Sequence, residues 1–211
     1  MSDGATRPYD LLVFDWDGTI VDSISAIVGC TRVTLDEMDL AHVDDDTIRG
    51  AIGLGLRETV ERFHPGCPEE RYRDILETYR RHWIETYHAR LGPFDGMAAL
   101  LAGLETAGYL LAVATAKSRR GLQRDFDTTG LGPFFVASRT MDEAPSKPHP
   151  EMLESLLDEL GVPPPRALMI GDTVHDLQMA ANARMPAVGV LSGSQTAEQL
   201  ATAGPVAVLC G

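Results

Sequence analysis

The chain has 211 residues, 44% hydrophobic and 23% charged, which suits one globular domain with at most a modest insertion rather than a disordered chain. Asp and Glu number 31 against 18 Lys and Arg, and the resulting net charge of −13 argues against nucleic-acid and anionic-membrane partners, which need a basic face. No apolar run approaches the roughly 18 residues of a membrane span. The first ten residues, MSDGATRPYD, hold no signal-type apolar stretch, and three cysteines without metal-type spacing read as reduced thiols, so a cytoplasmic protein is expected.

In chain order, Tyr9–Asp15 is a short, near-continuous apolar run of the kind that forms a buried strand. From Ser23 to Arg90 no convincing strand follows. Within that stretch, Asp44, Asp45 and Asp46 read as the acidic start of a helix. GLGLRE (Gly53–Glu58) has a G-x-G but neither a third glycine nor a preceding strand, so it is not a dinucleotide loop. Residues Glu69–His88 carry Tyr72, Ile75, Leu76, Tyr79, Trp83 and Tyr87 at helical spacing, an apolar stripe expected to be packing core. Gly92, Pro93 and Gly96 mark a return crossing. Strands are then expected at Tyr109–Ala114, Phe134–Ala137, Ala167–Ile170 and Ala187–Leu191, with helices at Asp95–Ala107, Pro150–Leu160 and Val174–Ala183. Alternation of this kind predicts an α/β fold with a parallel sheet, formed by 1–22 and 91–211 and interrupted by a helical insertion at 23–90.

Ligands of open parallel sheets bind beyond the carboxyl ends of the strands. There the chain places Asp15 and Asp17 after the first apolar run, Thr115 after the second, Lys147 in the loop after the third, and Asp172 and Asp176 after the fourth. Any one of these is more often a helix cap or a solvated side chain; four strand ends bearing such a set is much harder to reach by chance. Four ionised carboxylates and one lysine sum to −3, so the cluster calls for a cation before it can face an anion. Oxygen-only donors favour a hard ion such as Mg²⁺. Crowding raises the carboxylate pKa values, and a carboxylate nucleophile with a metal, a lysine and a hydroxyl suits phosphoryl transfer through an aspartyl-phosphate.

DWDGTIVDS (Asp15–Ser23), Thr115, Lys147 in SKPHP, and GDTVHD (Gly171–Asp176) resemble, in that order, the four motifs of the haloacid dehalogenase superfamily, most closely its phosphoglycolate phosphatase-like branch. The resemblance implies a Rossmann-like parallel sheet with helices on both faces and an inserted α-helical cap. It implies that Asp15 attacks phosphorus and that Asp17 protonates the leaving oxygen and then activates water. Thr115 and the backbone N–H groups of Trp16 and Ala116 would bind the phosphoryl oxygens, with Lys147 neutralising charge. Mg²⁺ would be held by Asp15, Asp172 and the carbonyl of Asp17, with Asp176 supporting from further out. Trp16, Ala116 and Asp95 depart from the residues common in relatives, yet none of the three removes a catalytic group.

The expected activity is hydrolysis of a small phosphorylated metabolite, phosphoglycolate first, by a monomer or homodimer. A sugar-phosphate mutase and an inorganic pyrophosphatase use the same chemistry. A phospho-receiver domain fits poorly in motif order and length. The cap is expected to choose the substrate, and Arg49 or Arg57, flanking Gly50–Gly55, to bind its carboxylate or second phosphate.

Overall fold

A computed structural model describes residues 7–210; the expectation about a signal stretch falls largely on residues 1–6, outside them. Six parallel strands form one sheet in the order β3-β2-β1-β4-β5-β6: β1 (Leu11–Phe14), β2 (Leu110–Thr115), β3 (Ala137–Thr140), β4 (Ala167–Gly171), β5 (Ala187–Val190) and β6 (Ala207–Leu209). Period-two alternation divides β1 between two cores. Leu11 and Val13 join the cluster built with helices α7 (Glu151–Leu160), α8 (Val174–Asn182) and α9 (Ala197–Ala201). Leu12 and Phe14 join the one built with α5 (Met97–Thr106) and α6 (Arg119–Thr129). Helices therefore cover both faces, and the central strands can be apolar throughout.

Between β1 and β2 the described residues are helical: α1 (Ile24–Glu37), α2 (Asp45–Arg49), α3 (Leu56–Phe63) and α4 (Glu69–His82), then a π-helical turn at Trp83–Tyr87 and a 3₁₀ turn at His88–Arg90. Asp44 caps α2, its carboxylate accepting from the Thr47 N–H at 2.9 Å, so the acidic run starts that helix. Ile24, Val28, Ile48 and Ile52 make a small core of their own. The insertion's two crossings are tied together where the Asp22 N–H donates to Gly92 O and the Phe94 N–H to Ile20 O.

Two strands differ from expectation. The third starts at Ala137 rather than Phe134, because Phe134 ends a 3₁₀ turn and Phe134 and Phe135 pack sideways into the β1–β2 face. The sixth, Ala207–Leu209, is a three-residue edge strand, too short and too exposed to announce itself as an apolar run. Among the described residues no helix is long and apolar enough to cross a membrane, and all three cysteines are free.

Candidate active site

The chain steps from β1 to β2 and β3 on one side, then returns to β4 on the other side of β1, so the topological switch point lies beside the end of β1. Asp15 stands there, its N–H bonded to Ile170 O at 2.9 Å and its side chain buried. Lys147, wholly buried in the loop before α7, donates from Nζ to Asp15 Oδ1 at 2.7 Å and to Asp176 Oδ1 at 2.6 Å. Burial alone would pull the lysine's pKa down, but the two carboxylates outweigh it and the shift is upward.

Neither Asp172 nor Asp176 is the N-cap of α8. Thr173 is, and Asp176 completes a capping box with it: one oxygen serves the helix while the other meets Lys147. Asp172 accepts from the Ser194 N–H at 2.9 Å, from Ser194 Oγ at 3.2 Å and from Thr19 Oγ1 at 3.3 Å. Gly18 turns between them at φ +78°, and a Cβ there would stand 2.7 Å from Asp172 Oδ2, so both conformation and space call for glycine.

Carboxylate oxygens of Asp15, Asp172 and Asp176 all lie within 4.8 Å of one another. Burial, first, and the neighbouring carboxylates push Asp172 up to about 7 and Asp15 well above the usual carboxylate range. Three carboxylates and one ammonium sum to −2 when fully ionised, so the buried donor set matches a divalent cation in charge, and its all-oxygen chemistry matches Mg²⁺.

Thr115 closes β2 and is buried. It does not cap the next helix; Ser118 does, accepting from Gly121 N. Its Oγ accepts from the Lys117 N–H at 3.2 Å, and its hydroxyl hydrogen meets no protein acceptor among the described residues. The N–H groups of Trp16 and Ala116 are likewise without a protein acceptor among the described residues. Three donors are thus free at the ends of two adjacent strands.

Asp17 lies apart from the carboxylate cluster. It accepts from Ser23 Oγ at 2.7 Å and from Lys117 Nζ at 3.0 and 3.1 Å. Lys117, not anticipated from the sequence, also lies 3.1 Å from Asp125 Oδ2 and 5.0 Å from the centre of the Trp83 ring. Buried Asp125 in turn accepts from the Trp16 indole at 2.8 Å and faces His88 Nε2 at 3.0 Å. The unusual Trp16 thereby has a partner, and residues of the insertion, Trp83 and His88, touch the group that holds Asp17. One signal was available: the chain has only two lysines, Lys117 and Lys147, and both meet site carboxylates.

The insertion leans on the core at its glycines. Gly53, at φ +93°, approaches so closely that a Cβ would stand 2.9 Å from Thr173 Oγ1 and 3.5 Å from the His175 ring. Between insertion and core lies a cavity of ≈ 390 Å³ that reaches Asp15, Asp17, Thr115, Ala116 and Lys117. Ile75, Leu76, Tyr79 and Trp83 of the aromatic stripe line it, so that stripe is partly cavity wall as well as core. Arg49 and Arg57, expected at the substrate, are not brought into it: Arg57 pairs with Glu69 at 3.0 Å and lies over the Tyr72 ring at 4.1 Å.

Residues 12–190 match the family model of the haloacid dehalogenase-like hydrolases. The chain belongs to that family. It is 34% identical over 204 residues (94% of the chain, 88% of the relative) to a Dickeya dadantii protein named "Probable phosphatase IndB". It is 32% identical over 198 residues (92% and 83%) to a phosphoglycolate phosphatase of Caulobacter vibrioides. The crystal structure of a haloacid dehalogenase-like hydrolase from Bacteroides fragilis superposes with a TM-score of 0.88 at 25% identity, covering 95% of this chain and 96% of that one.

Proposed function

We propose that this chain is an Mg²⁺-dependent phosphomonoesterase that hydrolyses a small phosphorylated metabolite through an aspartyl-phosphate on Asp15, with 23–90 acting as a cap. The observation that carries the reading is Asp15 held by Lys147 beside two further buried carboxylates, with unpaired donors at Thr115, Trp16 and Ala116 around it. Asp15 and Asp172, with the carbonyl of Asp17, would hold Mg²⁺ and Asp176 would support it. When bound, the ion supplies positive charge beside the phosphoryl oxygens.

The three free donors bind those oxygens, and Lys147 offsets charge on the nucleophile. A carboxylate oxygen of Asp15 forms the bond to phosphorus as the ester P–O bond breaks, and the departing oxygen takes a proton through Asp17. Asp17 then takes a proton from water, whose oxygen attacks the phosphorus and releases phosphate, and Asp15 is restored.

The test is phosphate release from phosphorylated metabolites including phosphoglycolate, from pyrophosphate and from p-nitrophenyl phosphate, with and without Mg²⁺, alongside Asp15→Asn. Metal-dependent release that disappears in the variant is expected. Preference for pyrophosphate over every ester would turn the reading to a pyrophosphatase. No release from any compound would overturn it in favour of a mutase that hands the phosphoryl group to a sugar hydroxyl.

A further inference from the structure

The wall of the cavity opposite the phosphoryl site is made by the helical insertion, and its chemistry is unlike the floor's. Helix α3 (Leu56–Phe63) has no buried residue; Leu56 and Val60 are half-covered and line the cavity, and Phe63 lines it too while packing against the insertion's small core. Ile52, Ile75 and Trp83 continue that wall toward Asp15 and Asp17. An amphipathic helix gains its stability by covering its apolar face. Here that face fronts an open space continuous with the catalytic carboxylates.

The space also has a size. At ≈ 390 Å³ it falls within the roughly 300–1,000 Å³ typical of pockets for drug-sized organic ligands, far more than a two-carbon acid needs. The insertion's arginines nearest in sequence to its glycine-rich segment, Arg49 and Arg57, stay outside it. Arg80, Arg120 and Arg124 do line it, without an ion pair among the described residues, but Arg80 and Arg120 are solvent-exposed. Arg124 is half-buried, and Lys117, the cation against Trp83, is already paired with Asp17 and Asp125.

Resting on the phosphatase reading above, we propose that this cavity takes the organic group of the phosphate ester and that this group is apolar: an alkyl or aryl phosphate rather than an ester with a second charge close to the phosphate. The carboxylate of phosphoglycolate would meet Lys117 already committed to Asp17 and Asp125, and would lose its water against the apolar wall. An alkyl or aryl group would cover Val60, Phe63 and Ile75 at the same place.

The experiment is kcat/KM, with Mg²⁺ present, for ethyl, butyl and hexyl phosphate, phenyl and naphthyl phosphate, and phosphoglycolate. Burial of each added methylene is worth about a fourfold gain, so a steep rise from ethyl to hexyl is expected, with the aryl esters high and phosphoglycolate low. In Val60→Asn the loss grows with chain length. As a readout independent of turnover, calorimetric binding of the same esters to Asp15→Asn gives a heat-capacity change that becomes more negative along the series. Turnover that is flat across the series, or highest for phosphoglycolate, overturns this inference and leaves the phosphatase reading standing. Release from no ester while binding still strengthens with length overturns the phosphatase reading and keeps the apolar ligand. A Val60→Asn loss equal for all esters assigns the wall to folding alone and overturns the proposal.

Discussion

The floor and the wall of one cavity are built on opposite plans. At the floor, each carboxylate has hydrogen-bond partners and a net negative charge is left for a cation: Asp15 and Asp176 meet Lys147, Asp172 meets Ser194 and Thr19, and Asp17 meets Ser23 and Lys117. At the wall, half-covered Leu56 and Val60 have neither a charge to answer nor a core to fill, and Phe63 is shared between the cavity and the insertion's small core. A buried charge that loses its partner is strongly destabilising, whereas a half-exposed apolar side chain can change at little cost in stability. Substitution at the floor is therefore costly to the fold, whereas substitution at the wall leaves the fold in place and changes what the cavity accepts.

The largest effect expected from sharpening this contrast is at Lys117. Lys117→Met removes the ammonium that spans Asp17 and buried Asp125, and with it the contact that Trp83 makes from the insertion. We expect kcat to fall about 10²-fold, part of the contribution of a positioned acid–base group, with KM changed little. Lys117→Arg keeps the charge and should recover part of kcat. Steady-state kinetics of both variants, beside their melting temperatures, decide the matter. A lowered Tm with kcat intact would make Lys117 a structural link only.

Next comes the cation. Without metal, Asp172 is pushed up to about 7 from an ordinary value of 3.8 by burial and by Asp176. Between about pH 4 and 7 the folded protein therefore binds this proton more tightly than the unfolded chain does, and that support is lost as pH rises through 7. Protons and Mg²⁺ compete for the same carboxylates, so Mg²⁺ should raise Tm little at pH 5.5 and by about 5–10 °C at pH 8 when present at 100 times its dissociation constant. Thermal melts at the two pH values, with Mg²⁺ and with EDTA, check it. An equal shift at both would place the ion away from Asp172.

The same contrast governs what could be read from the sequence. The sheet's central strands are buried on both faces, so β1, β2 and β4 stand out as unbroken apolar runs. The candidate groups Asp15, Asp17, Thr115, Asp172 and Asp176 follow directly at their ends, so position alone singles them out. The edge strands β3 and β6 are partly exposed, and β3 reads Ala-Ser-Arg-Thr, which no hydrophobic pattern separates from a loop. Groups that act across the fold were also hidden. Lys117 meets a carboxylate 100 residues away, Asp125 meets Trp16 109 residues away, and Ser194 meets Asp172 through a loop after β5. Spacing along a chain carries no trace of such pairs. The place of Arg57 was hidden for a related reason: its partners, Glu69 and Tyr72, lie on a neighbouring helix and hold it outside the cavity.

The smallest expected effect is therefore at Arg57, and it tests the comparison from the other side. Its pair with Glu69 joins side chains that are 58% and 52% exposed, where screening by water leaves an ion pair worth about 0–1 kcal/mol. Its stacking on Tyr72 adds about 0.5–1 kcal/mol of the same exposed kind. Arg57→Ala should lower Tm by no more than a few degrees and leave kcat/KM within about twofold for every ester, phosphoglycolate included. Val60, on the same helix but facing the cavity, should by contrast discriminate among esters by length when changed. A selective loss of phosphoglycolate turnover in Arg57→Ala would mean that the guanidinium leaves Glu69 for a ligand carboxylate. The insertion would then choose its substrate by charge, and the division between a charged floor and an apolar wall would fail.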